Sequence, residues 1–581
     1  MERFAKIALE SLNSALKVPI QLTDLEIPPD PQLGDFALPC FKLAQSFQKS
    51  PNQVAQLLCS KIQDQVTDEI LVSTQGPYLN FTVRPQKVLS SLLKDILLGP
   101  ERGHYGSLPK NSRGKWVIEY GSPNVAKPLN IYHLRTTVLG ASLDRVARYR
   151  GYEVSSINHL GDWGKQYGML AVAFERYHKT VEDSLSLTDL VELYVKINSD
   201  AEKDPTIEIQ AKQAFLDLEK EEPKITQIWK KCIEISLQGF RHSYQRLNIH
   251  FDYIWGESHY KNQLIPLIEN LKTQGILVQS EGAWIVPLVD ENNKELTPCI
   301  LQKNDGGTLY ATRDIAAALY RHKQFAFDRM TYVVGADQKL HFKQIFGVLK
   351  KMGVPWVKDC EHIPTGLYRF KDAKMSTRKG NFVTLEEVLA LAKQKVITLM
   401  QDRGHTSPPA QSQSSFEEIA EKIAIGAIVF HDLHNDPARD VEFDIERVVD
   451  FEGETGPYLQ YAHTRCLSIL RKASTTSQSQ ESIEFSLSLI SLLNSPSELQ
   501  LIKTLGQFPL HLERTLRFSK ASQLAHFLIE VTRSFGVFYR QCQVLGHSTQ
   551  LTQARLMLVE ATRRVLAQGL TLLGVPLPEW M

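Results

Sequence analysis

The stretch from residue 115 to residue 158 constrains the fold more than any other part of the chain. KWVIEY (115 to 120) reads as a strand, GSPNVAKP follows as a turn, and Val138, Leu139, Leu143, Val146 and Ala147 recur at helical spacing. Gly151 is a plausible helix stop, and YEVSSIN (152 to 158) reads as a second strand. Strand, helix and strand in that order form a β-α-β unit, whose strands run parallel because a long crossover returns the chain to the same end of the sheet. Where such a strand leads into a helix, unsatisfied N–H groups and the helix dipole favour anions, so a nucleotide-binding α/β fold is expected.

A polar, helix-like stretch (180 to 245) separates this unit from further strand signals at AWIVPL (283 to 288) and MTYVVG (330 to 335), which predicts a nucleotide fold split by an insertion. With 581 residues the chain is too long for one core, and three segments emerge. Residues 1–105 mix helices with β-like runs such as YLNFTV (78 to 83), as a small α+β domain would. Residues 106–410 hold the α/β signals. Residues 411–581 read as helix upon helix, closing with Leu556, Val559, Leu566, Leu570 and Leu573 on one face before Gly574 and Pro576. The polar runs HTSPPAQSQSS (405 to 415) and ASTTSQSQES (473 to 482) read as a boundary and as a loop.

The opening MERFAKIALESLNSALK alternates charged and apolar residues like an amphipathic helix rather than a signal peptide, and no apolar run approaches bilayer length. A cytoplasmic protein with no membrane partner is expected. The seven cysteines are scattered and never form CxxC, so neither a disulfide frame nor a cysteine zinc site is expected, and the thiols should be buried and reduced. A net charge of +1 neither requires nor excludes a nucleic-acid partner.

Lys127 and His133 in SPNVAKPLNIYHLR stand at the strand-to-helix junction, where they could grip ATP phosphates as charge grows in a displacement at the α-phosphorus. Neither GxxxxGK[ST] nor GxGxxG occurs, so the cradle is not a P-loop or a dinucleotide site. FKDAKMSTRKGNFVTLEE (370 to 387) crowds Lys374, Arg378 and Lys379 into a loop ended by Gly380, with a capping box at Thr384 and Glu387 starting the next helix. Such a loop suits a leaving pyrophosphate. Taken singly, each segment would more often be an ordinary solvated surface; the argument rests on their occurring together.

Together they resemble the HxGH and KMSK signatures of class I aminoacyl-tRNA synthetases. The surrounding text narrows the resemblance to the arginyl enzymes: IEYGSPNVAKP (118 to 128), NHLGDWGKQYG (158 to 168), YATRDIAAALYR (310 to 321), YVVGADQKLHFKQIF (332 to 346), GPYLQYAHTR (456 to 465) and the C-terminal LVEATRRVLAQGLTLLGVPLPEWM. The resemblance implies a Rossmann-like catalytic domain, an N-terminal α+β domain touching the tRNA D-loop, and a C-terminal all-α anticodon-binding bundle.

It implies ATP-dependent joining of L-arginine to tRNA(Arg) through arginyl-adenylate, with tRNA bound before activation, Mg²⁺ carried on ATP, no zinc or other protein-held metal, and a monomer. Lys127, His133, Lys374 and Lys379 would be catalytic, with Asn130, Tyr132, Met375 and Ser376 also at ATP. A planar guanidinium is best met by carboxylates around its fork, and the resemblance supplies Glu119 and Asp314, with Tyr310 walling the aliphatic stem and Asn124 and Gln338 orienting the α-amino group. Tyr78, Asn80, Tyr458, Tyr461, Phe535, Tyr539 and Met581 would meet tRNA, since single-stranded loops are read by stacking splayed bases on aromatics.

The chain departs from the first signature: Asn130, Ile131, Tyr132 and His133 stand where His, any residue, Gly and His are fixed. A neutral donor in place of a charged one costs about 1 to 2 kcal/mol, and Tyr132 must swing aside from the adenine or stack on it. Thr377 replaces the last Lys of KMSK, as arginyl enzymes commonly do, with Lys127 compensating. Two alternatives remain open: a synthetase-like paralogue that binds tRNA with weak or no aminoacylation, and a nucleotidyltransferase acting on a small molecule.

Overall fold

The computed structural model describes all residues except 17–18, 29, 31–32, 64, 67, 100–104, 291, 293, 305, 371–383, 405–413 and 477–486, together with the side chains of 23, 85–87, 370, 475–476 and 487. Two compact units result: Met1–Pro109 with Met400–Gly426 and Asp450–Met581, and Lys110–Leu399 with Ala427–Val449.

In the first unit the opening helix Glu2–Ala15 buries Phe4, Ala5, Ala8 and Leu12, an apolar stripe at helical spacing. It belongs with an antiparallel sheet of β1 (Phe36–Pro39), β2 (Ile70–Gln75) and β3 (Tyr78–Val83), in the order β1-β3-β2. The helices Gly456–Thr476, Pro496–Gly506, Phe508–Phe518, Ser522–Gln541 and Thr549–Leu573 form the all-α part. Leu501, Leu505, Leu512, Leu524, Leu528, Leu566 and Leu570 are sealed from solvent there, each contributing about 1.5 to 3 kcal/mol relative to exposure. The last helix ends at Gly574 with φ 84°, the left-handed stop expected from the sequence. Segments far apart in the chain share this unit: Lys503 Nζ lies 3.0 Å from the Asp35 carboxylate, and the Tyr105 hydroxyl donates to the Gly506 carbonyl at 2.8 Å.

Two histidines are buried in this helical part. Burial pushes the His463 and His511 imidazoles down to about 4 and about 3, and neither ring nitrogen of His463 has a hydrogen-bond partner among the described residues. An unfolded histidine titrates near 6.5, so below that pH the unfolded chain takes up protons that the folded unit refuses, and stability present at neutral pH is lost as pH falls from about 6.5 towards 4. Urea midpoints are expected to be lower at pH 5.5 than at pH 7.5, with His463→Leu narrowing the gap. An unchanged gap in the variant would assign the acid sensitivity to other groups.

The second unit is built on parallel strands. It contains β4 (Lys115–Glu119), β5 (Glu153–Asn158) and β6 (Tyr253–Ile254), and later β7 (Val278–Ser280), β8 (Ala283–Val289), β9 (Glu295–Gln302), β10 (Arg329–Gly335) and β11 (Cys360–Thr365). The central sheet has the order β11-β10-β4-β5-β6, all parallel, with Trp116 opposite Val154 and Arg329 opposite Trp116. Trp116, Val117 and Ile118 are buried in succession, as strands covered on both faces require. The crossover from β4 to β5 is the helix Ile131–Tyr149, followed by Gly151 at φ 84°. It lies so close to the end of β4 that a Cβ on Gly140 would come within 2.2 Å of Tyr120. The core under the sheet gathers Val117, Ile157, Ile315, Met330, Tyr332, Phe342 and Ile345.

The helices Leu187–Ala201, Thr206–Glu219 and Pro223–Arg246 form the expected insertion between β5 and β6. The sequence placed AWIVPL beside MTYVVG in the nucleotide fold, and the structure corrects this. AWIVPL lies in β8, the middle of a separate antiparallel sheet β7-β8-β9, whereas MTYVVG lies in β10 of the central sheet. A short apolar run does not encode which sheet it joins. All seven cysteines are free thiols, but Cys59 and Cys360 are only half-buried, contrary to the expectation of full burial. Among the described residues no helix is long and apolar enough to cross a membrane.

Candidate active site

The central sheet reverses its direction of growth between β4 and β10, and ligands of such sheets sit outside the carboxyl ends of the strands at that switch point. After β4 the backbone turns sharply: Gly121, Ser122 and Ala126 have φ of 87°, 48° and 59°. The two non-glycine residues hold a left-handed conformation that costs on the order of 1 kcal/mol each. The turn is fastened from outside, since the Ser122 amide donates to Asn158 Oδ1 at 3.2 Å and the buried Ala126 amide to Ser236 Oγ at 2.9 Å. Lys127 follows and is exposed.

Asn130 is the N-cap of the helix Ile131–Tyr149. Its Oδ1 accepts from the Tyr132 and His133 amides at 3.1 and 3.3 Å, and its own amide donates to His133 Nδ1 at 3.1 Å. Tyr132 is half-buried in the first turn. Burial and the nearby Lys127 charge push the His133 imidazole down to about 4, so it is neutral at physiological pH. Leu129 also accepts a backbone bond from Leu385 at 2.9 Å, and Thr384 and Glu387 close the expected capping box at 2.8 and 3.2 Å. Lys374, Met375, Ser376, Thr377, Arg378, Lys379 and Gly380 lie outside the described residues.

Glu119 ends β4 in a buried position and already holds a guanidinium, that of Arg321. Arg321 is only 1% exposed, and it also donates to the Tyr260 hydroxyl at 3.0 Å and reaches His159 Nδ1 at 3.2 Å. Two helical turns earlier on the same helix, Tyr310–Phe325, stands Asp314, whose side chain keeps 26% of its surface open. His341 Nε2 lies 2.6 Å from its Oδ2, and His159 Nε2 lies 3.6 Å from its Oδ1. Against a burial that would raise it, the His341 hydrogen bond and the neighbouring charges hold the Asp314 carboxyl below its usual range. Glu119 and Asp314 thus belong to one network, linked through Arg321 and His159, but only Asp314 faces open space.

The other expected pocket residues each have partners of their own. Asn124 bridges to Gly161 by backbone pairing. Gln338 follows β10 and donates to Asp337 at 2.9 Å. Tyr310 begins its helix 64% exposed, with the Arg313 guanidinium 5.2 Å from its ring centre. Behind it, Arg313 pairs with buried Glu257 at 2.6 Å. Further along the helix Ile131–Tyr149, buried Arg135 donates to Asp432 at 3.3 Å and to the Arg439 carbonyl at 2.8 Å, and the Tyr368 hydroxyl also bonds Asp432.

Among the expected tRNA contacts, the Arg465 guanidinium lies 4.2 Å from the Tyr539 ring centre and 5.8 Å from that of Tyr461, which is 40% exposed. Tyr458 and Met581 are half-buried. Phe535 is 2% exposed and packs on Phe538 and Tyr539, so it is a core residue on which no base can stack without opening the bundle. Tyr78 meets exposed Phe41 edge-on at 5.8 Å, whereas Asn80 is buried in β3 opposite Ala37 and Ser73.

Residues 95–445 match the family model described as "tRNA synthetases class I (R), catalytic domain". An arginine–tRNA ligase of Clostridium kluyveri is 37% identical over 582 aligned positions, covering 100% of both chains. The chain belongs to the arginyl-tRNA synthetase family. The family's N-terminal domain model matches residues 3–83, and the DALR anticodon binding domain matches residues 459–581. An arginine–tRNA ligase of Clostridium botulinum is 38% identical over 98% of each chain. Two solved structures share the fold. Arginyl-tRNA synthetase of Thermus thermophilus has a TM-score of 0.82 at 24% identity, covering 99% of this chain and 100% of that one. That of Plasmodium falciparum has 0.81 at 22%, covering 100% and 98%.

For this arginyl-tRNA synthetase family member, sequence reasoning missed His159, Arg321, His341 and Arg135. The first three lie inside stretches that carry the family resemblance, yet nothing local separates them from their neighbours. Gly161 is another such residue: a Cβ there would come within 2.2 Å of Asn124 Oδ1. If Asn124 holds the arginine α-amino group, as the family resemblance implies, Gly161→Ala is expected to displace its amide and raise the arginine KM about 10- to 100-fold, with melting temperature little changed, because small misplacements of positioning groups are costly. An unchanged KM would remove Asn124 from the arginine pocket.

Proposed function

We propose that this chain activates L-arginine with ATP and transfers it to the 3′ end of tRNA(Arg). The observation that carries the reading is Asp314, an ionised, half-open carboxylate held between two histidines at the switch point of a parallel sheet whose neighbouring helix carries His133 in its first turn.

The arginine carboxylate attacks the ATP α-phosphorus, forming the acyl-phosphate bond as the bond to pyrophosphate breaks. A ribose hydroxyl of the tRNA end then attacks the acyl carbon, and AMP leaves. His133 Nε2–H and Lys127 receive the charge growing on the phosphates, assisted by the segment carrying Lys374, Met375, Ser376 and Lys379. Asp314 takes the guanidinium, Tyr310 walls the stem, and Asn124 and Gln338 hold the α-amino group. Glu119 acts through Arg321 and fixes the floor of the pocket. Mg²⁺ travels on the ATP phosphates.

The chain is further proposed to divide into a D-loop reader (1–105), the catalytic domain (106–410) and an anticodon reader (411–581), and to work as a cytoplasmic monomer. Tyr461 and Tyr539 with Arg465 offer a stacking surface for splayed bases, with Tyr458 one helical turn before Tyr461, Met581 as a further anticodon contact and Tyr78 serving the D-loop.

Tyr132, standing where the signature has Gly, favours a second reading: a relative that binds tRNA but activates arginine weakly. Charging of purified tRNA with labelled arginine, ATP and Mg²⁺ separates the two. Robust charging by the native chain is expected, and a Tyr132→Gly variant should change the ATP KM alone. If only Tyr132→Gly charged, the second reading would replace the first.

A further inference from the structure

Asn130 replaces the first histidine of the signature, a position from which a charged side chain would reach phosphate. The structure gives it a different occupation. Its Oδ1 is consumed by two amides of the helix it caps, Tyr132 at 3.1 Å and His133 at 3.3 Å. Its backbone amide returns a bond to His133 Nδ1 at 3.1 Å, so cap and imidazole hold each other reciprocally. A nitrogen that accepts an N–H cannot carry the proton of a neutral ring. The His133 proton therefore sits on Nε2, which has no hydrogen-bond partner among the described residues. Leu129, just before the cap, is tied to Leu385 at 2.9 Å, which fixes the peptide that presents the Asn130 amide.

We propose that Asn130 is a positioning residue: it caps the helix Ile131–Tyr149 and fixes His133 as the tautomer that presents Nε2–H to the ATP phosphates. The substitution is thus an exchange of roles, in which a second phosphate donor is given up and the remaining one is preorganised. Asn suits this because it is among the best N-cap residues, whereas histidine is not among the preferred ones. The proposal rests on the reading of His133 as a phosphate contact, but its structural half can be tested without activity.

The test uses the full chain labelled with ¹⁵N-histidine, the His133 signals being assigned by their loss in His133→Gln. Long-range ¹H–¹⁵N correlation is expected to show Nε2 protonated and Nδ1 bare in the native chain and in Asn130→Ser, and a mixture of tautomers in Asn130→Ala. Arginine- and tRNA-dependent pyrophosphate exchange should follow the same order, with Asn130→Ser within about threefold of native and Asn130→Ala down about tenfold or more, the usual scale for loss of an orienting group. Asn130→His, which restores the signature residue, should be no faster than native.

A faster Asn130→His, or an Asn130→Ser as slow as Asn130→Ala, would show that this side chain serves phosphate directly and would overturn the proposal. So would a native His133 protonated on Nδ1. The expected tautomers without any exchange activity would leave the positioning intact and sink the proposed function instead.

Discussion

Asp314→Asn is expected to lower kcat/KM for arginine by about 10²- to 10³-fold, with the ATP KM and the melting temperature nearly unchanged. Truncating the charge of a desolvated, hydrogen-bonded pair costs about 2 to 5 kcal/mol, and each 1.36 kcal/mol is tenfold. An amide of the same shape still accepts from His341, now at 2.6 Å from Oδ2, so the fold keeps its contact while the guanidinium loses its counter-charge. Between pH 6 and pH 8 any change in the loss should not follow the Asp314 carboxyl itself. Asp314 is held below the ordinary carboxylate range, so it stays ionised across that window and its own titration cannot modulate the arginine KM there. Aminoacylation kinetics at varied arginine decide the matter. An unaltered arginine KM would mean that the guanidinium is read by another carboxylate, with Glu119 and Glu257 the first to test.

Arg321→Met should cause the largest loss of stability. Arg321 is enclosed and shared among Glu119, Tyr260 and His159. Without it Glu119 remains a buried, uncompensated carboxylate, a situation that costs about 3 to 5 kcal/mol when one partner of a buried pair is removed. The unfolding midpoint of the catalytic unit should fall accordingly. The double variant Glu119→Gln, Arg321→Met should recover most of the loss, since removing both charges removes the desolvation penalty that a lone charge leaves. If Arg321→Met unfolded at the native midpoint, the ion pair would contribute nothing to stability and Glu119 would be free to meet substrate directly. Arginine affinity in the double variant then separates the two uses of Glu119: structural anchoring predicts a modest change, direct contact a large one.

Several elements were legible because their signals are local. The β-α-β unit, the glycines that end the helices at 151 and 574, the capping box at Thr384 and Glu387, and the strand Tyr78–Val83 all appear where the sequence puts them. So does the insertion of helices between β5 and β6. Each depends on periodicity or on a bond spanning a few residues, and such information is written contiguously. AWIVPL was legible as a strand but not as a member of β8 in a separate sheet, because strand pairing is settled by partners elsewhere. Phe535 shows the same limit on a helix: aromatic at helical spacing, it is compatible with a base-stacking face or with a core, and only packing on Phe538 and Tyr539 decides for the core.

By itself the sequence determined the fold class and the family resemblance, and that resemblance singled out Glu119, Asp314, Lys127 and His133 as candidates for the site. Tertiary structure alone decided what those residues do to each other. It paired Glu119 with Arg321, 202 positions away, placed His159 and His341 on the two oxygens of Asp314, and turned Asn130 from a missing phosphate ligand into the cap that orients His133. The reason is physical: a charge's partner is chosen by distance and desolvation in three dimensions, and neither quantity has a local signature in the order of residues.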